Sequence, residues 1–128
     1  MRLLLDTHVA LWAITDSHQL PASARRLILV PSNEIYVSAA SVWEIAIKHG
    51  LGRRRMPISG TEAASYFAES GYLSVPVTAE HAAFVETLPP HHADPFDRLL
   101  VAQALCEPMR LLTHDAGLAP YSDTIILV

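Results

Sequence analysis

Four carboxylates in this chain sit beside apolar segments in ways that invite a chemical reading: Asp6, Glu44, Asp97 and Asp115. Gathered without a cation they would repel one another, and hard divalent ions such as Mg²⁺ and Mn²⁺ prefer oxygen donors of this kind. Ions held this way orient a water, promote its deprotonation and stabilise charge on a phosphodiester during in-line attack. Thr7 and Thr113 each stand next to one of the acids and are candidate hydrogen-bond partners that would aim them. Zinc is the competing ion, since the chain has seven histidines, including the pair His91-His92. No His-Glu-x-x-His or paired-cysteine spacing occurs, and adjacent histidines are poorly disposed to share a metal. His91 and His92 therefore read as loop residues or as contacts behind the ligands. A P-loop, a dinucleotide glycine fingerprint and a Gly-x-Ser-x-Gly elbow are also missing.

The element that must position Asp97 runs from His91 to Ala104. Asp94-Pro95 is a helix start, because Asp accepts from free amides and Pro is tolerated at the first helical position. At about 100° per residue, Asp97 then points between Leu100, Val101 and Ala104, on an apolar face. A lone buried carboxylate is costly and is normally paired, neutralised or given a metal. The plain alternative is an acid that only serves the first turn of the helix dipole.

Leu3-Leu4-Leu5 reads as a strand buried on both faces, followed by a helix from His8 to Ile14. Asp6 then lies at the strand's carboxyl end, the edge where open α/β sheets bind ligands, unless it merely caps the helix. Leu20-Pro21 opens a second helix to about Leu29, and Ile35 to Val37 is a short strand. Ser38 caps a third helix, Ala39 to His49, stopped by Gly50 and Gly52. On its wheel Ser41, Glu44 and Lys48 form a thin polar stripe among Val42, Trp43, Ile45, Ala46 and Ile47. A helix this apolar is expected to be mostly buried, with the stripe lining a site or a seam. Glu44 and Lys48 also fit an ordinary i,i+4 pair. Further on come a helix from Thr61 to Ser70, a strand from Leu73 to Val77 and a helix from Ala79 to Leu88 capped by Thr78. The Asp97 helix, a strand from Arg110 to Thr113 and a last strand from Thr124 to Val128 complete the chain. Such alternation implies one α/β domain over residues 1–128, with a mainly parallel sheet between two helical layers.

Half of the 128 residues are hydrophobic and 17% are charged, the composition of a compact fold. The net charge of −4 gives no global reason to expect nucleic-acid binding, but a local basic patch can act inside an acidic protein. Arg53-Arg54-Arg55 is the densest such patch, and Lys48 and Arg98 are further candidates for contact with phosphate or with an acidic partner. The single Cys106 excludes an internal disulfide framework and fits a reducing compartment. No apolar run approaches the ~18 residues of a membrane span, and Asp6-Thr7-His8 cuts short a leader-like start. The expectation is a cytoplasmic protein that does not enter the membrane.

Leu4-Leu5-Asp6-Thr7-His8, Ser38 to Lys48, His92 to Ala104 and Leu111-Leu112-Thr113-His114-Asp115 resemble the successive motifs of PIN-domain proteins. They are most similar to the VapC toxins of bacterial toxin–antitoxin systems. The resemblance spans nearly the whole chain in order. It implies a three-layer α/β/α PIN-like fold, a Mg²⁺- or Mn²⁺-dependent endoribonuclease acting on RNA such as tRNA or rRNA, a cognate antitoxin and a homodimer. By motif the acids fall on Asp6, Glu44, Asp97 and Asp115, with Asp94 secondary. Apolar residues on the early helices would then receive an antitoxin helix. Two other readings compete. A phosphoaspartyl phosphatase or receiver-like domain would use Asp6 as the phosphorylated group, though the second Asp that such phosphatases place two residues later is absent. A non-catalytic binding module would use the acids only as caps.

Overall fold

The computed structural model describes residues 1–128. Five strands form one sheet: β1 (Arg2–Leu5), β2 (Glu34–Ser38), β3 (Leu73–Val75), β4 (Arg110–Thr113) and β5 (Ile126–Leu127). Their order is β3-β2-β1-β4-β5 and every pairing is parallel. The helices are α1 (Thr7–Ile14), α2 (Ala22–Leu29), α3 (Ala39–Gly50), α4 (Gly60–Glu69), α5 (Ala79–Phe84) and α6 (Pro95–Cys106).

The apolar run at the start needs two covered faces, and it receives them. Leu3 and Leu5 join Val9, Ala10, Ala24, Ile45 and Phe67 in the core on one side of the sheet. Leu4 turns to the other side, among Val75, Leu100, Val101, Ala104 and Leu118. β4 repeats the alternation, with Leu111 in the second core and Leu112 in the first. Helices α1 to α4 therefore cover one face, while α5 and α6 cover the other. Each fully buried leucine contributes roughly 1.5–3 kcal/mol relative to exposure.

Sequence periodicity located these elements well, and the differences have local causes. Helix α4 starts at Gly60 because Ser59 and Glu62 form a reciprocal capping box, one residue before the expected start. The helix expected to reach Leu88 ends at Phe84 and tightens into a 3₁₀ turn, Val85–Thr87. β3 stops at Val75, ahead of Pro76, and β5 is only two residues long. Between β4 and β5, Ala116–Tyr121 is a 3₁₀ turn.

The topology decides where a site must form. β1 lies between β2 and β4, so the chain leaves β1 towards one half of the sheet and enters β4 in the other. Connections diverge at this point and leave a crevice beyond the carboxyl ends of β1 and β4. Asp6 directly follows β1, and Asp115 lies two residues past β4.

Helices α3 and α4 meet so closely that a Cβ on Gly60 would stand 2.8 Å from Ala46 Cβ and 3.2 Å from the Val42 carbonyl oxygen. Gly60→Ala should cost about 1–3 kcal/mol in urea unfolding. Gly50→Ala, where an added Cβ meets nothing, should change stability by less than ~1 kcal/mol.

Candidate metal centre

Asp6 is buried and serves two neighbours at once. Its Oδ1 accepts from the Val9 amide at 2.9 Å and so caps α1. Its Oδ2 accepts from the Thr113 hydroxyl, which ties the end of β1 to the end of β4. The capping reading of Asp6 is thus correct, and it does not remove Asp6 from the crevice. Burial pushes its carboxyl above the usual range, against the two hydrogen bonds and the nearby His8 that favour the charged form.

Glu44 reaches the same place from α3. Ser38 caps that helix by accepting from the Ala40 amide, which sets Ser41 and Glu44 one turn apart on the face turned towards α1. Both are buried. Thr7 Oγ1 lies 2.9 Å from Glu44 Oε1 and 2.9 Å from Ser41 Oγ. A carboxylate can only accept, so the Thr7 proton goes to Glu44. Lys48 completes the arrangement with Nζ 2.6 Å from Glu44 Oε2. The i,i+4 pairing therefore exists, but one partner is buried and the other half-exposed, which makes it more than a surface pair.

The expectation that α3 is mostly buried needs correction. Its polar stripe faces inwards, while Trp43 and Ile47 are 59% and 41% exposed. Glu44 has taken a place inside, beside the buried Ile45, and Trp43 and Ile47 are left outside.

Asp97 enters from the opposite helical layer. Asp94 caps α6 by accepting from the amides of Phe96 and Asp97, at 2.8 and 3.3 Å. Asp97 sits in the first turn, where a helix dipole should lower its pKa. Instead the carboxyl is pushed up to about 7, by burial first and then by the negative charges of Asp94, Asp6 and Glu44, with His92 opposing. Burial, with repulsion from three other acids added to it, outweighs the dipole. Asp97 is therefore not explained as a dipole residue.

Asp115 closes the set at the open end. Its Oδ1 accepts from the Gly117 amide at 2.8 Å, and its Oδ2 lies 2.8 Å from His92 Nε2. Burial raises its pKa, but these two partners outweigh burial and hold the carboxyl below its usual range. His92 is the residue whose importance the sequence only hinted at. The Asp94 amide donates to its Nδ1 at 3.2 Å, so Nε2 carries the proton and donates to Asp115. The same nitrogen is 3.7 Å from Asp97 Oδ2.

Donor atoms of His92, Asp97 and Asp115 all lie within 4.8 Å of one another. This trio is the compact part of the site; Asp6 and Glu44 fall outside it, although their charges reach Asp97. With Nδ1 taken by a backbone amide and Nε2 protonated, His92 suits the role of steering Asp115 better than that of a ligand. What remains is an all-oxygen donor set with excess negative charge, which fits a hard divalent cation.

The basic residues are placed differently from one another. Arg98 donates through Nη2 to the carbonyls of Val85 and Leu88, at 3.3 and 3.0 Å, so its guanidinium is already committed to the turn before α6. Arg53, Arg54 and Arg55 are exposed in the turn after α3. Six residues separate Glu44 from the end of that helix, about 9 Å of rise, so the arginines stand away from the acids.

Comparison with known proteins bears on the family and the fold. The PIN domain family model matches residues 3–123. Ribonuclease VapC22 of Mycobacterium tuberculosis is 32% identical over 117 residues, covering 91% of this chain and 88% of the relative. Among solved structures, VapBC2 from Rickettsia felis bound to a promoter DNA fragment superposes with a TM-score of 0.72 at 17% identity, covering 100% of this chain and 98% of that one. A toxin–antitoxin complex from Klebsiella pneumoniae gives 0.67 at 13% identity, with 97% and 95% covered. These structural likenesses speak to the fold.

Two stability measurements test the site's electrostatics without metal. The Asp97 carboxyl has a folded pKa near 7, above its unfolded value, so its protonated form favours folding and this support is lost as pH rises from about 4 to about 7. Asp97→Asn should match the wild type near pH 4 and exceed it by about 1–2 kcal/mol at pH 8. That is below the full linkage value because the carboxyl is partly screened by solvent. Equal pH dependence in both proteins would show that neither burial nor repulsion raises the Asp97 pKa. Lys48→Met should destabilise by about 1–3 kcal/mol in urea unfolding, because it strands a buried Glu44 charge.

Proposed function

The chain belongs to the PIN-domain family, and from that premise we propose that it is a metal-dependent endoribonuclease, the VapC-type toxin of a toxin–antitoxin pair. The observation that carries this reading is the cluster beyond the sheet, where donor atoms of His92, Asp97 and Asp115 lie within 4.8 Å of one another and Asp97 also feels the charges of Asp94, Asp6 and Glu44. A protein that pays for such repulsion in the folded state gains from a cation that relieves it. The curated relative's name, a ribonuclease, supports the reaction class.

Asp97 and Asp115 would hold Mg²⁺ or Mn²⁺, with Asp6 and Glu44 completing the anionic wall. Bound there, the ion would polarise a water and offset charge on the phosphodiester during in-line attack. The protein's own part is orientation. Thr113 fixes Asp6, Thr7 and Lys48 fix Glu44, and His92 fixes Asp115. Such partners hold ligands ready, so that little reorganisation is needed when substrate arrives. The substrate proposed is tRNA or rRNA, with Arg53, Arg54 and Arg55 available for phosphates or for an acidic antitoxin segment.

Partners are proposed from the surface. Trp43 and Ile47 are exposed, and Trp43 packs edge-on against Phe96 at 5.1 Å, so an apolar face crosses from α3 to α6. This face suits a homodimer, while antitoxin contact on the early helices is supported by the toxin–antitoxin complexes that share the fold. No helix is long and apolar enough to cross a membrane, and a cytoplasmic location fits a ribonuclease toxin.

The competing readings are less well supported. A phosphorylated Asp6 would need a free carboxylate oxygen facing substrate, yet Asp6 is 5% exposed and both its oxygens are engaged. Capping alone describes Asp6, Asp94 and Asp115, but not Glu44 or Asp97.

Purified protein should cleave total tRNA or rRNA with Mg²⁺ or Mn²⁺ and not with EDTA, and Asp6→Asn should be inactive. Thr113→Val should lose roughly 10–100-fold in rate while remaining folded. Metal-independent cleavage, or equal activity of Asp6→Asn, would refute the reading.

A further inference from the structure

Beside the acids lies a cleft of about 270 Å³ lined by Asp6, His8, Trp12, His114 and Asp115. Its wall is aromatic. The His8 ring lies 5.9 Å from the Trp12 indole and is tilted by 43°. The His114 ring lies 5.7 Å from the same indole and is nearly perpendicular at 71°.

Each ring is tied to an element that also positions an acid. His8 and Trp12 are one turn apart on α1, the helix that Asp6 caps. His114 sits between Thr113 and Asp115, and its Nδ1 is held by the Val128 carbonyl. The three rings are therefore carried by the same elements as the carboxylates. Trp12 is half-buried, with one part against the core beneath the sheet and another lining the cleft, while His8 and His114 are exposed. Packing alone would not require two exposed imidazoles around an indole at the mouth of a polar crevice.

A phosphodiester in line with the acids carries a base on each side. Six residues of helix separate Asp6 from Trp12, a rise of about 9 Å, which is within reach of a neighbouring nucleotide. Indole and imidazole rings stack on any base, and such contacts recognise single strands without reading sequence. We propose that Trp12, with His8 and His114 beside it, is a stacking platform for the nucleobase adjoining the scissile phosphate. The proposal rests on the ribonuclease reading and adds a substrate-binding subsite to it.

Trp12→Phe and Trp12→Leu both keep an apolar side chain against the core, but only Phe keeps a π face. On a single-stranded oligoribonucleotide of mixed sequence, Trp12→Leu should raise KM about tenfold with a smaller change in kcat, and Trp12→Phe should restore most of the loss. An abasic residue next to the cleaved bond should cost the wild type about tenfold in kcat/KM and cost Trp12→Leu little more. Independent of turnover, Trp12 fluorescence in a Trp43→Phe background should be quenched by the same oligoribonucleotide in EDTA. Equal KM for the Phe and Leu variants, additive effects of the abasic site, or unquenched Trp12 would overturn the platform while leaving cleavage intact. Failure of the wild type to cleave any RNA would instead remove the ribonuclease reading and the platform with it.

Discussion

Repulsion among carboxylates gathered beyond the sheet is the constraint around which this protein is built. At short range in a partly buried site such charges interact far more strongly than in water. Burial and that repulsion fall together on Asp97, whose pKa they push up to about 7. Everything near the crevice either creates the repulsion or contains it.

Containment is shared among pairs that cross between elements. Thr113 joins β4 to the Asp6 cap of α1, Thr7 joins α1 to Glu44 on α3, and His92 joins the segment before α6 to Asp115. The same contacts that aim the acids thus hold together four separate pieces of backbone. The leucine layers beneath, in β1 and β4, keep the two strand ends fixed while they carry charge. A further consequence appears on α3. Its carboxylate is buried while its tryptophan faces solvent, and the apolar surface this leaves is offered to a partner.

Much of this was legible in the sequence. Apolar runs and caps located β1, α3, α6 and β4, and the alternation of strands and helices implied the parallel three-layer sheet that is observed. The helical wheel of α6 marked Asp97 as anomalous before any partner was known. Other features depend on contacts between distant segments and were not readable. The exposure of Trp43 and Ile47 is one: the polar stripe of α3 is expected to line a site or a seam, but that the apolar residues beside it would be left outside depends on how Thr7 and Lys48 hold Glu44. The role of His92 is another, since it requires the Asp94 amide on one ring nitrogen and Asp115 on the other. Arg98 looked like a surface cation, but two carbonyls of the preceding turn claim it. The capping choices at Asp6 could not be separated from site membership because the residue does both.

The most direct test of a carboxylate cluster awaiting a cation is calorimetric titration of Mn²⁺ into the purified protein, in buffers of different ionisation enthalpy, at pH 6 and pH 8. Binding should release close to one proton per cation at about pH 6, where Asp97 is protonated, and almost none at about pH 8. Asp97→Asn should release none at either pH. Mn²⁺ binding without proton release at the lower pH, or unchanged in the variant, would contradict the claim that these acids converge on one ion.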